Sequence, residues 1–146
     1  MDKTAELIFT IIGGALTLLT VYGAFKADRK LFLSGVCFFS ILPIIGESMG
    51  YSADKGAVHI MVIMIYVVQF ILAFPSNIQY GPENAAAGKL VGKIALALLV
   101  CSVAGAVFIL CLNAPVPRRF GEMHAVMALA ILYIIIRRAT GKGWAK

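Results

Sequence analysis

Residues 90–112 read LVGKIALALLVCSVAGAVFILCL, a run in which Lys93 is the only charged residue. Such a segment has no stable place in water, and its length is close to the roughly 20 residues a helix needs to cross a hydrocarbon core of about 30 Å. Four further stretches have the same character: Ala5 to Phe25, Leu31 to Tyr51, Ala57 to Phe74 and Gly121 to Ile136. None alternates polar with apolar residues, as the strands of an outer-membrane barrel would. Helices satisfy their own backbone hydrogen bonds inside lipid. The sequence therefore predicts an all-α, polytopic integral membrane protein with about five transmembrane helices and short loops, a single domain over residues 1–146.

Composition agrees with this reading. The chain is 61% hydrophobic with a mean hydropathy of +0.93, well beyond the apolar share of about 45–50% found in soluble domains. The start, Met1-Asp2-Lys3-Thr4-Ala5-Glu6, is not a basic leader and no small-residue cleavage site follows, so the first stretch is expected to be a retained span. Cys37, Cys101 and Cys111 lie inside predicted spans and imply neither a disulfide framework nor a CxxC metal site.

The net charge of +6 would suggest nucleic acid as a partner of a soluble protein, but here the cations stand at span ends and report orientation instead. Following the chain through five spans, one side receives Lys3, Lys55, Arg118 and Arg119. The other receives Lys26, Arg29, Lys30, Lys89, Lys93, Arg137, Arg138, Lys142 and Lys146. This distribution places the N-terminus outside and the C-terminus in the cytoplasm, as in a multi-pass protein of a bacterial inner membrane. Arg118 and Arg119 run against the trend and are expected in a solvated loop, where they would meet lipid headgroups or a partner. Arg137, Arg138 and Trp144 suit a headgroup anchor at the other face.

Local signals divide the chain further. Pro43 inside the second stretch predicts a kink between Cys37 and Pro43. The first stretch carries Thr10, Gly13, Gly14, Thr17 and Thr20, residues that let a second helix approach closely. The longest loop runs from Ser76 to Gly88, and its Ala86-Ala87-Gly88 end has helical character. Gly88 and Gly92 stand at GxxxG spacing, a pattern associated with helix contacts.

Ionisable groups within a bilayer are costly, about 2.5–3.5 kcal/mol for Asp, Lys or Arg on insertion scales, so each one calls for a reason. Glu47 shares a helical face with Ser40, Pro43 and Tyr51. His59, Tyr66 and Gln69 form a second polar stripe, and a tight hairpin brings Glu47 and His59 to similar depth, where they can pair and share a proton. Glu122 and His124 open the fifth stretch from the same side of the membrane, near Cys111 and Asn113.

Three functional expectations follow. The first is a small noncatalytic accessory or interaction subunit, whose partners are the lipid bilayer and other membrane subunits or a second copy of itself. The second is a small proton- or cation-coupled transporter or channel built on Glu47, His59, Tyr66 and Gln69. The third is a redox protein, with His59 and His124 as axial ligands of a b-type haem at equal depth, or with Glu47, His59, His124 and Glu122 around a divalent metal. The sequence has no GxSxG, HExxH, CxxCH or phosphate-cradling glycine loop. It carries no recognisable catalytic motif.

Overall fold

The computed structural model describes residues 3–75, 85–112 and 116–141, with side chains described in all of these except 85–91. Five helices account for nearly all of it: α1 (Lys3–Lys26), α2 (Arg29–Asp54), α3 (Ala57–Ala73), α4 (Ala85–Cys111) and α5 (Arg118–Ala139). There is no strand among the described residues. The chain is an all-helical, multi-pass membrane protein, and four of its helices, all but α3, are long and apolar enough to span a bilayer. Helix α3 is apolar but has 17 residues, about 26 Å at 1.5 Å per residue. It stops at Ala73 because Pro75 biases Phe74 away from helical geometry, and Phe74 has φ −57° and ψ 121°.

The two tight turns are built by local hydrogen bonds. Between α1 and α2, Ala27 adopts a positive φ of 55°, and the Asp28 side chain caps α2 by accepting from the Leu31 amide at 3.1 Å. Between α2 and α3, Lys55 is left-handed with φ 59°. Its amide closes the last turn of α2 by donating to the Tyr51 carbonyl at 2.9 Å, while the Asp54 carboxylate accepts from the Gly56 amide at 2.7 Å. Pro43 lies within α2, which continues on both sides of it.

Each helix packs against its sequence neighbours, and α5 returns to pack against α1, so the helices form a closed ring. Among the described residues the α3–α4 seam is the sparsest contact around that ring. One end, here the histidine end, collects the start of α1, the α2–α3 turn and the start of α5. The opposite end carries Lys26, Arg29, Lys30, Arg137 and Arg138 and is called the basic end. Toward the basic end all five helices contribute to one apolar cluster: Ala24, Phe32, Val36, Cys37, Ala73, Leu98, Ala130, Ile131 and Ile134. A second cluster of Phe39, Leu42 and Met127 joins α2 to α5 nearer the middle. Large apolar side chains such as Leu18, Met61, Met64, Ile71, Val100 and Leu129 are exposed, as a lipid-facing surface requires.

Close approach of α1 and α2 depends on small residues. A Cβ built on Gly35 would collide with the hydroxyl and backbone nitrogen of Thr20, and one on Gly23 with the backbone of Phe32. The GxxxG pattern has a different outcome. No atom of the described residues lies within 4 Å of where a Cβ on Gly92 would stand, so no described helix packs against that point of α4. Gly35→Ala is expected to destabilise the bundle by about 1–3 kcal/mol through overpacking, whereas Gly92→Ala should leave stability unchanged or slightly raised. Denaturation of both variants in detergent, against the parent protein, measures the difference.

Candidate functional site

Polar side chains gather at two levels of the bundle. The outer group sits on the α2–α3 hairpin. Glu47 lies near the end of α2 and His59 in the first turn of α3, and the short turn folds one back against the other. His59 Nδ1 is 2.5 Å from Glu47 Oε2, and its Nε2 is 3.1 Å from the Asp54 carboxylate. Carboxylates only accept, so both bonds form together when the ring carries a proton on each nitrogen. The His59 and Glu47 side chains are 21% and 17% exposed, which places the pair at the edge of the protein, within reach of solvent at the histidine end.

Gly50, one turn beyond Glu47, makes room for this ring, since a Cβ there would meet His59 Cε1 at 2.6 Å. Asp54 lies beyond the apolar stretch that ends at Tyr51. The Gly56 amide, and after it the His59 ring, hold its carboxyl below the ordinary range.

The second group lies inside the ring. Tyr66 of α3 is hydrogen-bonded to Nε2 of His124 on α5, and both residues are buried. His124 Nδ1 donates to the Phe120 carbonyl at 2.7 Å. With a neutral imidazole this leaves Nε2 as an acceptor, so the Tyr66 hydroxyl donates. Phe39 of α2 meets the imidazole edge-on, with ring centroids 5.0 Å apart. Gly105 of α4 closes the fourth side, because a Cβ there would strike both the His124 ring and the Tyr66 hydroxyl. Four helices thus surround one Tyr–His pair.

The other buried polar side chains form two groups of a different kind. The buried hydroxyls of Thr17, Thr20 and Ser40 return to carbonyls of their own helices, at 2.8, 2.9 and 2.9 Å respectively. Gln69 and Ser102 do not follow this pattern. Both are completely inaccessible, yet Gln69 Nε2, Gln69 Oε1 and Ser102 Oγ have no hydrogen-bond partner among the described residues. An amide buried without a partner costs about 1–3 kcal/mol on mutational scales, more than most surface contacts contribute.

The structure brings Glu47 and His59 together and puts Tyr66 and Gln69 on the inner face of α3. It does not bring the two histidines together. His124 bonds to Tyr66, which lies seven residues, about 10 Å, beyond His59 along α3. The expectation of equal depth fails because α5 starts at Arg118 and not at Gly121, which places His124 nearly two turns inside the helix. Each imidazole also has both nitrogens engaged. Glu47 and Asp54 bind opposite edges of one ring, and among the described residues no three His, Cys, Asp or Glu side chains converge on a point where they would hold a metal.

The remaining expected contacts have specific places. Glu122 is exposed and paired with Arg118 at 3.4 Å along α5. Arg119 bridges from α5 to Glu6 of α1 at 3.1 Å, beside an open cleft of about 380 Å³ lined by Lys3, Glu6, Leu7 and Arg119. Both arginines are therefore in the first turn of a helix and not in a loop. Arg137 and Arg138 end α5. Cys111 is exposed at the end of α4. Asn113 and Trp144 lie outside the described residues, as do Lys142, Lys146 and the 76–84 part of the long loop; α4 already includes Ala86, Ala87 and Gly88.

Sequence reasoning overlooked Asp54, Gly50, Phe39, Ser102 and Gly105 as members of these groups. Gly50 was visible as a small residue three positions after Glu47. Ser102 and Gly105 were visible at the same spacing on α4, although nothing in the sequence tells which neighbour they face. Comparison with protein families, characterised proteins and solved structures finds no match to this chain.

Tyr66→Phe keeps the ring and deprives buried His124 Nε2 of its donor. It should cost about 1–3 kcal/mol, read by denaturation in detergent, while Glu122→Gln on the exposed surface changes stability by less than about 0.5 kcal/mol. Asp54 supplies a pH test. Because its folded-state carboxyl is held below the ordinary value, its contribution is present above the ordinary carboxylate range and is lost as pH falls through the lowered value. Acid titration of hairpin accessibility should show this loss in the parent protein, and Asp54→Asn should remove that dependence.

Proposed function

We propose that this chain is a small proton-translocating membrane protein of the transporter or channel class, with Glu47 and His59 as its outer proton site. The observation that carries the reading is the 2.5 Å contact between an acid and a base at the edge of the bundle, toward its histidine end. A proton arriving from the histidine end can be taken by either member, and the Asp54 carboxylate on the opposite ring nitrogen offers a second exchange position. Tyr66, on the inward face of α3, and His124 of α5 provide an interior donor and acceptor. The five-helix apolar cluster beneath them is the barrier to be crossed, so uncontrolled leakage is opposed.

Orientation belongs to this proposal as well. The excess of Lys and Arg at the basic end makes that end cytoplasmic in a bacterial inner membrane, with the histidine end outside. Protons would enter from outside.

A second reading, an accessory subunit without flux of its own, is favoured by Gly46 on α2 and Gly92 on α4. Neither has an atom of the described residues within 4 Å of its Cβ position, so both helices offer an open small-residue position to another membrane helix. A transport assay separates the two. In proteoliposomes holding a pH-sensitive dye, a potassium diffusion potential should drive lumen acidification by the parent protein. Glu47→Gln and His59→Ala should each slow it on the order of a hundredfold with unchanged helicity and elution. Parent-level flux in both variants, or none in the parent, overturns the proposal in favour of the subunit reading.

A further inference from the structure

Two completely buried polar groups remain unused by the Tyr66–His124 pair, and the helix register sets them face to face. Gly105 of α4 lies against Tyr66 of α3. The two helices are antiparallel, so one turn on from Tyr66 and one turn back from Gly105 bring Gln69 opposite Ser102. A further turn brings Ala73 opposite Leu98, and both of these belong to the apolar cluster, as that register requires. Gln69 and Ser102 therefore lie one turn below the Tyr66–His124 pair, on the side of the apolar barrier. Both are wholly inaccessible, and none of their three polar side-chain atoms is partnered among the described residues. They also lie in the sparsest seam of the ring.

We infer that Gln69 and Ser102 form a binding site for a water molecule held between α3 and α4. The chemistry of the pair selects this ligand. An amide presents two donors and a carbonyl acceptor, and a hydroxyl presents one donor and two lone pairs. No formal charge faces the site from these two groups, so an ion gains no compensation for its lost hydration. Water has two donors and two acceptors, and a buried water typically makes two to four hydrogen bonds to polar groups of this kind. Its role, which rests on the proton-translocation reading, is to extend the Tyr66–His124 pair one turn toward the apolar barrier. Its existence rests on the geometry alone.

The test uses the full-length protein in lipid. Infrared difference spectra recorded in H₂¹⁶O and H₂¹⁸O isolate the O–H stretch of weakly hydrogen-bonded internal water. The parent protein should show an isotope-shifted band that is lost in both Gln69→Leu and Ser102→Ala. Ser102→Ala removes one oxygen atom and guards against a folding defect in the larger change. Absence of the band from the parent protein, or its persistence in both variants, overturns the site whatever the flux does.

Proton flux in the same samples separates the two claims. Band loss with slowed flux, and no further slowing in the double variant, supports the site as one shared step of the path. Band loss with parent-level flux supports the site and overturns its role in translocation.

Discussion

A peptide group that leaves water for hydrocarbon must take its hydrogen bond with it, and this constraint governs the whole molecule. It makes every described span a helix and compresses the α1–α2 and α2–α3 connections into turns closed by Asp28, Lys55 and Asp54. It also explains the hydroxyls. Thr17, Thr20 and Ser40 are tolerated in the interior because each returns a hydrogen bond to the carbonyl one turn earlier in its own helix. Against that background Gln69 and Ser102 stand out, since the same constraint applies to them and their own helices do not meet it.

Packing then decides where polarity can survive. Hydrophobic burial has little drive between helices already surrounded by lipid, so close contact relies on small residues and shape. Gly23 and Gly35 bring the backbones of α1 and α2 together. Gly50 and Gly105 are different in effect, because the space they leave is filled by the imidazoles of His59 and His124. A glycine opposite a histidine is how both rings are admitted to a tightly packed bundle. The sparse α3–α4 seam lies beside the deeper polar group, and the apolar cluster seals the bundle below it.

The positions of the two histidines show how far a linear reading reaches. The helices that carry Glu47 and His59 are joined by only two residues, Lys55 and Gly56, so the encounter of the pair follows from the hairpin and is legible from spacing. His124 meets Tyr66 across 58 positions of chain, and its depth depends on where α5 begins. Arg118 and Arg119 look like loop residues because they are charged and follow Pro115 and Pro117. The chain instead makes them the first helical turn, with Arg119 bonded to Glu6 of α1 and Arg118 to Glu122. That extra turn separates His124 in depth from His59 and with it removes the geometry a shared haem would need.

The order of residues along the chain is enough to set the class of the molecule: helical, multi-pass and with its ionisable groups concentrated at span ends. Those properties follow from residue composition and run length, which every segment carries locally, whatever its neighbours. The closing of the helices into a ring, the meeting of Tyr66 with His124 and the open space at the Gly92 Cβ position among the described residues arise only in the assembled bundle. These depend on the rotation of each helix about its axis. A nearly uniform apolar surface encodes that rotation weakly, because in lipid no polar face has to turn toward water, and it is set by which small residues meet which side chains across the seams.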